Sequence, residues 1–266
     1  NLLTECSFTY TPNAGFTGAE VLTYTVSDGT EAVAGEFAIN VEQVTEAIRV
    51  GDAPTRVTTM SQFADAWSDP LVTSILHTAT ASSAAQVWSP VQFSVLSVGT
   101  LSGGDIFSGD LGVSGQTMAT SAVKQELDGT EGLRFNLNTE ATGVTLDLSR
   151  LYTNDDLTGF DEAGRLRLLD ANGAVVGETT FIANTSSGEL TISLSADTGF
   201  TTVELAAGAY DGSEFVFGGY SSAGGELATD PYADSVGKWH GSDFLVDWIE
   251  FEVPVTLVGV PEGAAV

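Results

Sequence analysis

The chain has 266 residues, of which 36 are acidic and 8 basic, for a formal charge of −28. This charge excludes nucleic acid and anionic membranes as partners, because eight scattered cations cannot form a basic patch. The single cysteine and the two histidines exclude a disulfide framework and a Cys/His zinc site. No apolar run approaches the roughly 18 residues that predict a membrane span, and 42% hydrophobic content predicts a folded chain.

The acidity itself predicts a bound cation. A large negative charge destabilises the compact state by self-repulsion unless counterions or bound cations offset it. Calcium is the expected ion, because carboxylates and backbone carbonyls are its ligands. The alternative is a solvated acidic surface suited to salty water.

Residues 8–44 alternate apolar and polar residues in three short runs, at 8–10, 21–26 and 37–41. Pro, Asn, Asp and Gly turn signals separate the runs. The pattern predicts three strands joined by tight turns. Three strands are too few for a sandwich of about seven.

The same segment, FTYTPNAGFTG…LTYTVSDG, resembles the second half of the Ig-like, cadherin-like modules that repeat in giant bacterial surface adhesins of the RTX type. The resemblance implies an extracellular module on a Gram-negative cell surface. It also implies that the first half of the module is missing, so we expect a fragment of a longer multidomain chain.

Gly51 and Pro54 mark a seam after this module. Beyond it, Ser61 is predicted to cap a short helix that runs through Trp67. Asp69-Pro70 reads as the cap and first position of a second helix.

Between residues 87 and 253 the pattern returns to short strands, about nine at the spacing of a sandwich or jelly roll. Asn172-Gly173 is the strongest hairpin signal. The residues Asp197–Gly199 predict another turn. The fold class expected is all-β, a β-sandwich or jelly-roll-like domain with one or two short helices. The predicted strands include 91–98, 133–137, 144–148, 188–196 and 200–207.

The connection between the apolar strands at 215–217 and 244–251 carries the expected ligand site. Long connections without periodicity are functional or disordered, and aromatics mixed with oxygen donors favour a binding loop. The ligand-binding candidates are Tyr210, Gly218, Gly219, Tyr220, Tyr232, Trp239 and His240.

Acidic residues cluster in this connection and in the turn DGTEG at 128–132. None of them fits an EF-hand loop, so the prediction of calcium rests on clustering, with a solvated turn as the alternative for each residue. The metal-binding candidates are Asp128, Glu131, Asp211, Glu214, Asp230, Asp234 and Asp243.

Catalysis is not expected. No GxSxG nucleophile elbow is present, and Cys6 lies in the fragmentary module. With 36 acids, a glycosidase-like carboxylate pair has no specificity as a signal.

Two further segments, LGVSG…ELDGTEGLRFNL…ATGVTLDLSRLY and GFTTVELAAGAYDGSEFVFGGY…GSDFLVDWIEFEV, resemble the calcium-dependent peptide-binding modules of marine and Vibrio adhesins. The resemblance implies cell adhesion, as in biofilms, through a short C-terminal peptide on a partner cell. The carboxylate of that peptide would complete the coordination of a bound calcium. Two alternatives stay open: a lectin in which Tyr220, Tyr232 or Trp239 stacks on sugar, and a purely structural extender stiffened by calcium.

We therefore expect three segments: a partial Ig-like extender at 1–48, a ligand-binding β-sandwich at 57–255, and the start of a linker at 256–266. The expected partner is a peptide or glycan on another cell surface, without membrane insertion. The chain is expected to be monomeric within a longer protein.

Overall fold

The computed structural model describes residues 9–13, 16–51, 57, 59–78, 86–91, 109–113, 126–128, 131–153, 161–210, 215–216, 220–221, 239–240 and 242–259. These residues form one helix and thirteen strands, which confirms the all-β fold class. They divide into two compact units, residues 1–46 with 254–266, and residues 47–253. The strands are β1 (Gly18–Ser27), β2 (Ala32–Gly51), β3 (Val72–Thr78), β4 (Ser89–Pro90), β5 (Leu127–Asp128), β6 (Gly132–Ser149), β7 (Asp161–Leu169), β8 (Val175–Ile182), β9 (Leu190–Tyr210), β10 (Phe215–Val216), β11 (Tyr220–Ser221), β12 (Trp239–His240) and β13 (Asp243–Gly259).

The smaller unit contains the antiparallel β1–β2 hairpin, in register from Gly18↔Val41 to Ser27↔Ala32. Its turn is closed by Asp28, whose Oδ1 accepts the backbone N–H groups of the two residues that follow Gly29, each at 2.8 Å. These backbone donors, the second of them above all, hold the pKa of Asp28 below 3.8.

The prediction of a strand at 8–10 is wrong at the two of these residues that the structure describes. Thr9 and Tyr10 lie outside the strands. The Tyr10 hydroxyl donates to the carboxylate of Glu20 in β1. Tyr10 is therefore held by its side chain and not by a backbone ladder.

In the larger unit, the antiparallel strands follow the order β13–β6–β9–β7–β8. The first half of β6 also pairs with β3, from Val72↔Leu137 to Thr78↔Gly132, whereas its second half pairs with β13. The long strand β6 is thus shared by two stretches of a curled sheet.

The inward side chains of both stretches form one core. The rings of Trp67 and Phe135 lie 6.3 Å apart, and Phe181 meets Phe244 edge-on at 5.7 Å. The largest fully buried side chains of this core are Trp67, Phe63, Phe135, Phe200, Phe244, Phe251, Leu111, Leu127, Leu133, Leu146 and Leu148.

The predicted turn at Asp197–Gly199 is wrong, because the strands expected at 188–196 and 200–207 are both parts of β9. Likewise 133–137 and 144–148 are two parts of β6. The β6–β9 register shifts between the two parts. A Cβ at residue 199 would lie 2.8 Å from the Glu140 carboxylate, so this glycine admits a close neighbour rather than reversing the chain. The strand predicted at 91–98 lies, apart from Val91, outside the described residues.

The helix α1 spans Met60–Ala66 and begins two residues earlier than predicted. Its cap is Thr59 and not Ser61. The Thr59 hydroxyl accepts the backbone N–H of Gln62 at 3.3 Å, and the Gln62 side chain accepts the Thr59 N–H at 3.2 Å. This reciprocal capping box satisfies two donors that a helix start leaves open.

The second helix, predicted from Asp69-Pro70, is wrong. Asp69 Oδ1 accepts the N–H of Leu71 at 2.8 Å, and the Asp69 carbonyl accepts the N–H of Val72 at 3.0 Å. This turn leads into β3, whose β-branched residues favour a pleated strand and whose pairing with β6 overrides the local signal.

The β7–β8 hairpin confirms the signal at Asn172-Gly173. Gly173 has a φ of 80°, in the left-handed region that such turns require. Asp170 Oδ1 accepts the N–H groups of Asn172 at 2.9 Å and Ala174 at 2.8 Å. These bonds, that of Ala174 first, hold the pKa of Asp170 below 3.8.

Candidate functional site

At the candidate site, the end of β9 and the start of β7, which pair with each other, lie next to the start of β13. The start of β13 in turn pairs with the end of β6. Ser242 joins these strand ends: its N–H donates to the Gly208 carbonyl at 2.8 Å, and its hydroxyl accepts the N–H of Ala163. Ser242 is fully buried, and β13 starts at the next residue. The long connection before β13 therefore returns to the same end of the sheet from which it left at Tyr210.

Two metal candidates from distant parts of the sequence meet at this end. The short strand β5 pairs with the start of β13, with Asp128 opposite Asp243 and Leu127 opposite Phe244. Leu127 and Phe244 are fully buried, so the register is anchored by core residues. Directly opposed residues of an antiparallel pair have Cβ atoms about 4.5–5.5 Å apart.

Further acids are buried at this end with defined partners. The Ser149 hydroxyl donates to Asp110, and the backbone N–H of Tyr152 donates to Glu162. The exposed fractions of Asp110 and Glu162 are 6% and 4%. Beside Asp110, the backbone of Leu111 exchanges two hydrogen bonds with Val246 of β13, at 2.7 and 2.9 Å.

Arg150 is the cation placed among these acids. Its Nε donates to the carboxylate of Glu126, which immediately precedes β5 and is 2% exposed. The φ of Arg150 is 66°, the left-handed region that a non-glycine residue adopts only when its surroundings require it. The ion pair therefore links β5 to the end of β6 through a strained residue.

Glu131, another metal candidate, is also buried, at 9% exposure. Its carbonyl accepts the N–H of Ala207 in β9 at 3.3 Å. Glu131 thus lies at the start of β6, next to the last part of β9.

Three ligand candidates are brought together by the pairing of β11 with β12. Tyr220 is opposite His240, and Ser221 is opposite Trp239. Tyr210 is half-buried and pairs with Phe215 on one side and Asp161 on the other. The remaining candidates lie outside the described residues: Gly218, Gly219, Tyr232, Asp211, Glu214, Asp230 and Asp234.

Within the described residues, no group of three or more His, Cys, Asp or Glu side chains is arranged as a metal site. The donor types at this end are carboxylates, hydroxyls and backbone carbonyls, which fit calcium in chemistry. The sequence analysis missed Asp110, Glu126 and Glu162. Their burial depends on contacts with residues far along the chain, so no local sequence pattern predicts it.

Comparisons with known proteins reach only parts of the chain. No curated protein matches it. A crystal structure of a glycoside hydrolase family 43 arabinoxylan arabinofuranohydrolase from Bacillus subtilis, in complex with cellotetraose, is 12% identical with a TM-score of 0.24. The match covers 53% of this chain and 24% of that one, and at this TM-score it carries no argument about catalysis.

No helix among the described residues is long and apolar enough to cross a membrane. Bacterial Ig domains are typically extracellular or surface-associated. Residues 2–42 match the family model of the bacterial Ig domain, which supports the partial Ig-like module that the sequence predicts.

Proposed function

We propose that the larger unit is a non-catalytic, calcium-dependent ligand-binding module of a bacterial cell-surface adhesin. The observation that carries this proposal is the register of β5 on β13, which sets Asp128 directly opposite Asp243. Like charges at directly opposed positions destabilise an antiparallel ladder. A divalent cation between them removes this repulsion and supplies attraction instead.

The surroundings of this pair favour calcium over a transition metal. The neighbouring donors are oxygen atoms, and the two histidines of the chain, His77 and His240, are too few for a His-rich transition-metal site. Calcium takes six to eight oxygen ligands and accepts mixtures of carboxylates, carbonyls and water. Asp128 and Asp243 are the described residues that we assign to it.

The β11–β12 pair supports a ligand at the same connection. Tyr220, Trp239 and His240 bring aromatic rings with polar atoms, which provide large contact areas at low entropic cost. The ligand we propose is the C-terminal end of a short peptide on a partner cell. Its carboxylate would complete the calcium coordination. Calcium removal would therefore abolish ligand binding.

The proposal predicts a calcium-dependent melting temperature. At a calcium concentration about 100 times the dissociation constant, binding to the folded state contributes about 2.7 kcal/mol. For a unit of this size, that shifts the melting temperature by about 5–10 °C relative to excess chelator. The Asp128→Asn and Asp243→Asn variants should each lose most of this shift.

Asp197→Asn is the matched control, because Asp197 is an exposed acid in β9. It should keep the full calcium shift. An unchanged shift in both Asp128→Asn and Asp243→Asn would place calcium elsewhere. No shift in the parent protein would reject calcium dependence altogether.

Ligand class is tested on peptide and glycan arrays, in calcium and in chelator. Calcium-dependent binding of peptides with a free C-terminus, but not of their amides, supports the proposed ligand. Binding of glycans alone would make the module a lectin. A calcium-stabilised protein that binds neither array would be a structural extender.

A further inference from the structure

The first part of β9, residues 190–196, lies at an open edge of the sheet. Residues 190–195 pair with β6 on one side. On the other side, β7 pairs with β9 only at residues 202–210. Among the described residues, no strand pairs with this second side of residues 190–196. Its backbone N–H and C=O groups are therefore available in a row to another extended chain. We call residues 190–196 the open edge.

The side chains of the open edge alternate between two surfaces. Every second one is apolar, partly buried and packed against the core: Leu190, Ile192, Leu194 and Ala196. The others are exposed hydroxyl side chains, and two of them contact β6. Thr191 donates to Asp147 at 2.5 Å, and the Ser193 hydroxyl lies 2.8 Å from that of Thr145. A strand added to this edge would therefore extend an apolar surface on one face and a hydroxyl surface on the other.

The open edge lacks the charged and proline residues that commonly block such edges. Its sequence, LTISLSA, carries no charge, although the chain as a whole is strongly acidic. Acids stand at its two ends instead, Glu189 before it and Asp197 after it, and both are exposed. The open edge is thus an uncharged strand bounded by two negative charges.

These two acids disfavour a second copy of the chain as the partner. Antiparallel pairing of two open edges in full register would set Ser193 opposite Ser193, and Glu189 opposite Asp197 of the other copy at both ends. Directly opposed like charges destabilise such a ladder. Each copy also brings a net charge of −28. A strand with a basic residue at each end would instead turn both end contacts into attraction.

We propose that the open edge binds an extended peptide strand of a partner protein, with a basic residue at each end and alternating apolar and hydroxyl residues between them. Its backbone pairs with β9, and its apolar side chains lie beside Ile192 and Leu194. Its basic ends lie opposite Glu189 and Asp197. In this mode of recognition the backbone hydrogen bonds give affinity and the alternate side chains give specificity. The surface uses none of the acids assigned to calcium.

The test is a titration of the full chain in excess chelator with the peptide acetyl-KVTVTVTVK-amide, monitored by NMR amide shifts. This peptide matches the length from Glu189 to Asp197. Both of its ends are blocked, so it has no free carboxylate to offer to a calcium ion. We expect saturable binding, with the largest amide shifts at residues 190–196.

Two matched peptides separate the backbone contribution from the charge contribution. The same peptide with N-methyl groups on all its valines and threonines lacks the backbone donors between its ends, so it should not bind saturably. The same peptide with glutamate in place of both lysines should bind roughly tenfold more weakly, because both end contacts become repulsive.

Reversal of the two acids tests the same contacts from the side of the protein. The double variant Glu189→Lys with Asp197→Lys should bind the lysine-ended peptide roughly tenfold more weakly and the glutamate-ended peptide correspondingly better. If this variant does not fold, Glu189→Gln with Asp197→Asn should make the two affinities equal. The control is Glu36→Lys with Glu46→Lys, which makes the same change in net charge at exposed acids of β2. It should leave both affinities unchanged.

Absence of saturable binding would overturn the proposal, as would equal binding of the N-methylated peptide or of the glutamate-ended peptide by the parent protein. Amide shifts confined to other parts of the chain would also overturn it. A dimer of the parent protein that protects the amides of residues 190–196 from hydrogen exchange would make a second copy the occupant instead. Because the titration contains chelator and a blocked peptide, its failure leaves the calcium proposal standing, and loss of the calcium-dependent melting shift leaves this proposal standing.

Discussion

Arg150 at the end of β6 donates to Glu126, a carboxylate 2% exposed that lies 24 positions earlier in the chain. The arginine side chain is 24% exposed, so the pair is mostly removed from water. Removing one partner of such a pair leaves a buried charge without compensation, which destabilises strongly.

The Arg150→Ala variant should therefore lower the free energy of unfolding by about 3 kcal/mol, the low end of the range for buried pairs because Arg150 is partly exposed. Urea unfolding measures the change. Glu178→Ala is the control, since it breaks the exposed pair with Arg167, and should cost less than about 1 kcal/mol. Equal losses in the two variants would show that the Glu126 pair is not effectively buried.

Gly164 in β7 provides space for an aromatic ring of the core. A Cβ at this position would lie 2.2 Å from the ring of Phe181, which is buried. Gly164→Ala should lower the free energy of unfolding by about 1–3 kcal/mol through overpacking. Gly177→Ala in β8 is the comparison, because its Cβ would meet Leu168 at 3.1 Å. A larger loss for Gly177→Ala would contradict the packing at Phe181.

Trp67 donates from Nε1 to the carbonyl of Gly109 at 2.9 Å, in the buried part of the larger unit. Trp67→Phe leaves that carbonyl without this donor and opens a small cavity. The loss should be about 2–4 kcal/mol in the free energy of unfolding.

Trp248→Phe is the matched control for this substitution, because Trp248 is half-buried beneath the Arg49 guanidinium, 3.8 Å from its ring centre. That contact is worth about 0.5–1 kcal/mol. Thermal unfolding, monitored by the fluorescence of the remaining tryptophans, compares the stability lost in Trp67→Phe with that lost in Trp248→Phe. A similar loss in both variants would argue against the Gly109 hydrogen bond.

The β7–β8 turn should weaken in acid. The backbone hydrogen bonds from Ala174 and Asn172 lower the pKa of Asp170 from 3.8 in the folded state. A lowered folded pKa contributes stability above the unfolded value of 3.8, and this stability is lost as pH falls through the folded pKa. Asp170→Ala should therefore lower the melting temperature at pH 7.

Below a pH of 3.8, the difference between Asp170→Ala and the parent protein should shrink steadily. Melting curves measured across this window check the prediction. Asp197→Ala, at an exposed site in β9, serves as the control. A difference that stays constant with pH would mean that the turn is not stabilised by the charged form of Asp170.

Local signals predicted the elements whose partners are near in sequence. The β7–β8 hairpin follows from Asn172-Gly173, because a short turn with a glycine at positive φ fixes which residues pair. The same reasoning failed at Asp197–Gly199, where the chain stays within one strand, β9, although its register with β6 shifts there. It also failed after Asp69-Pro70, since a helix cap and an Asx turn share the same residues.

The candidate site was predictable in composition but not in geometry. Clustering of acids pointed to Asp128 and Asp243 separately, one in an acidic turn and one in the long connection. Their direct opposition depends on the pairing of β5 with β13 across more than 100 residues, which no periodicity encodes.

The pairing of β6 with β9 has a consequence for the order of events during synthesis. Their ladder joins Leu148 to Leu190 at one end and Gly132 to Ala206 at the other, with β7 and β8 in the intervening sequence. A ribosome adding about 5–20 residues per second takes roughly 2–8 s to reach the start of β9 after finishing β6. During that interval a strand of 18 residues with one apolar face is without its main partner. The nascent chain is then open to pairing with a neighbouring copy until β9, and later β13, pair with β6.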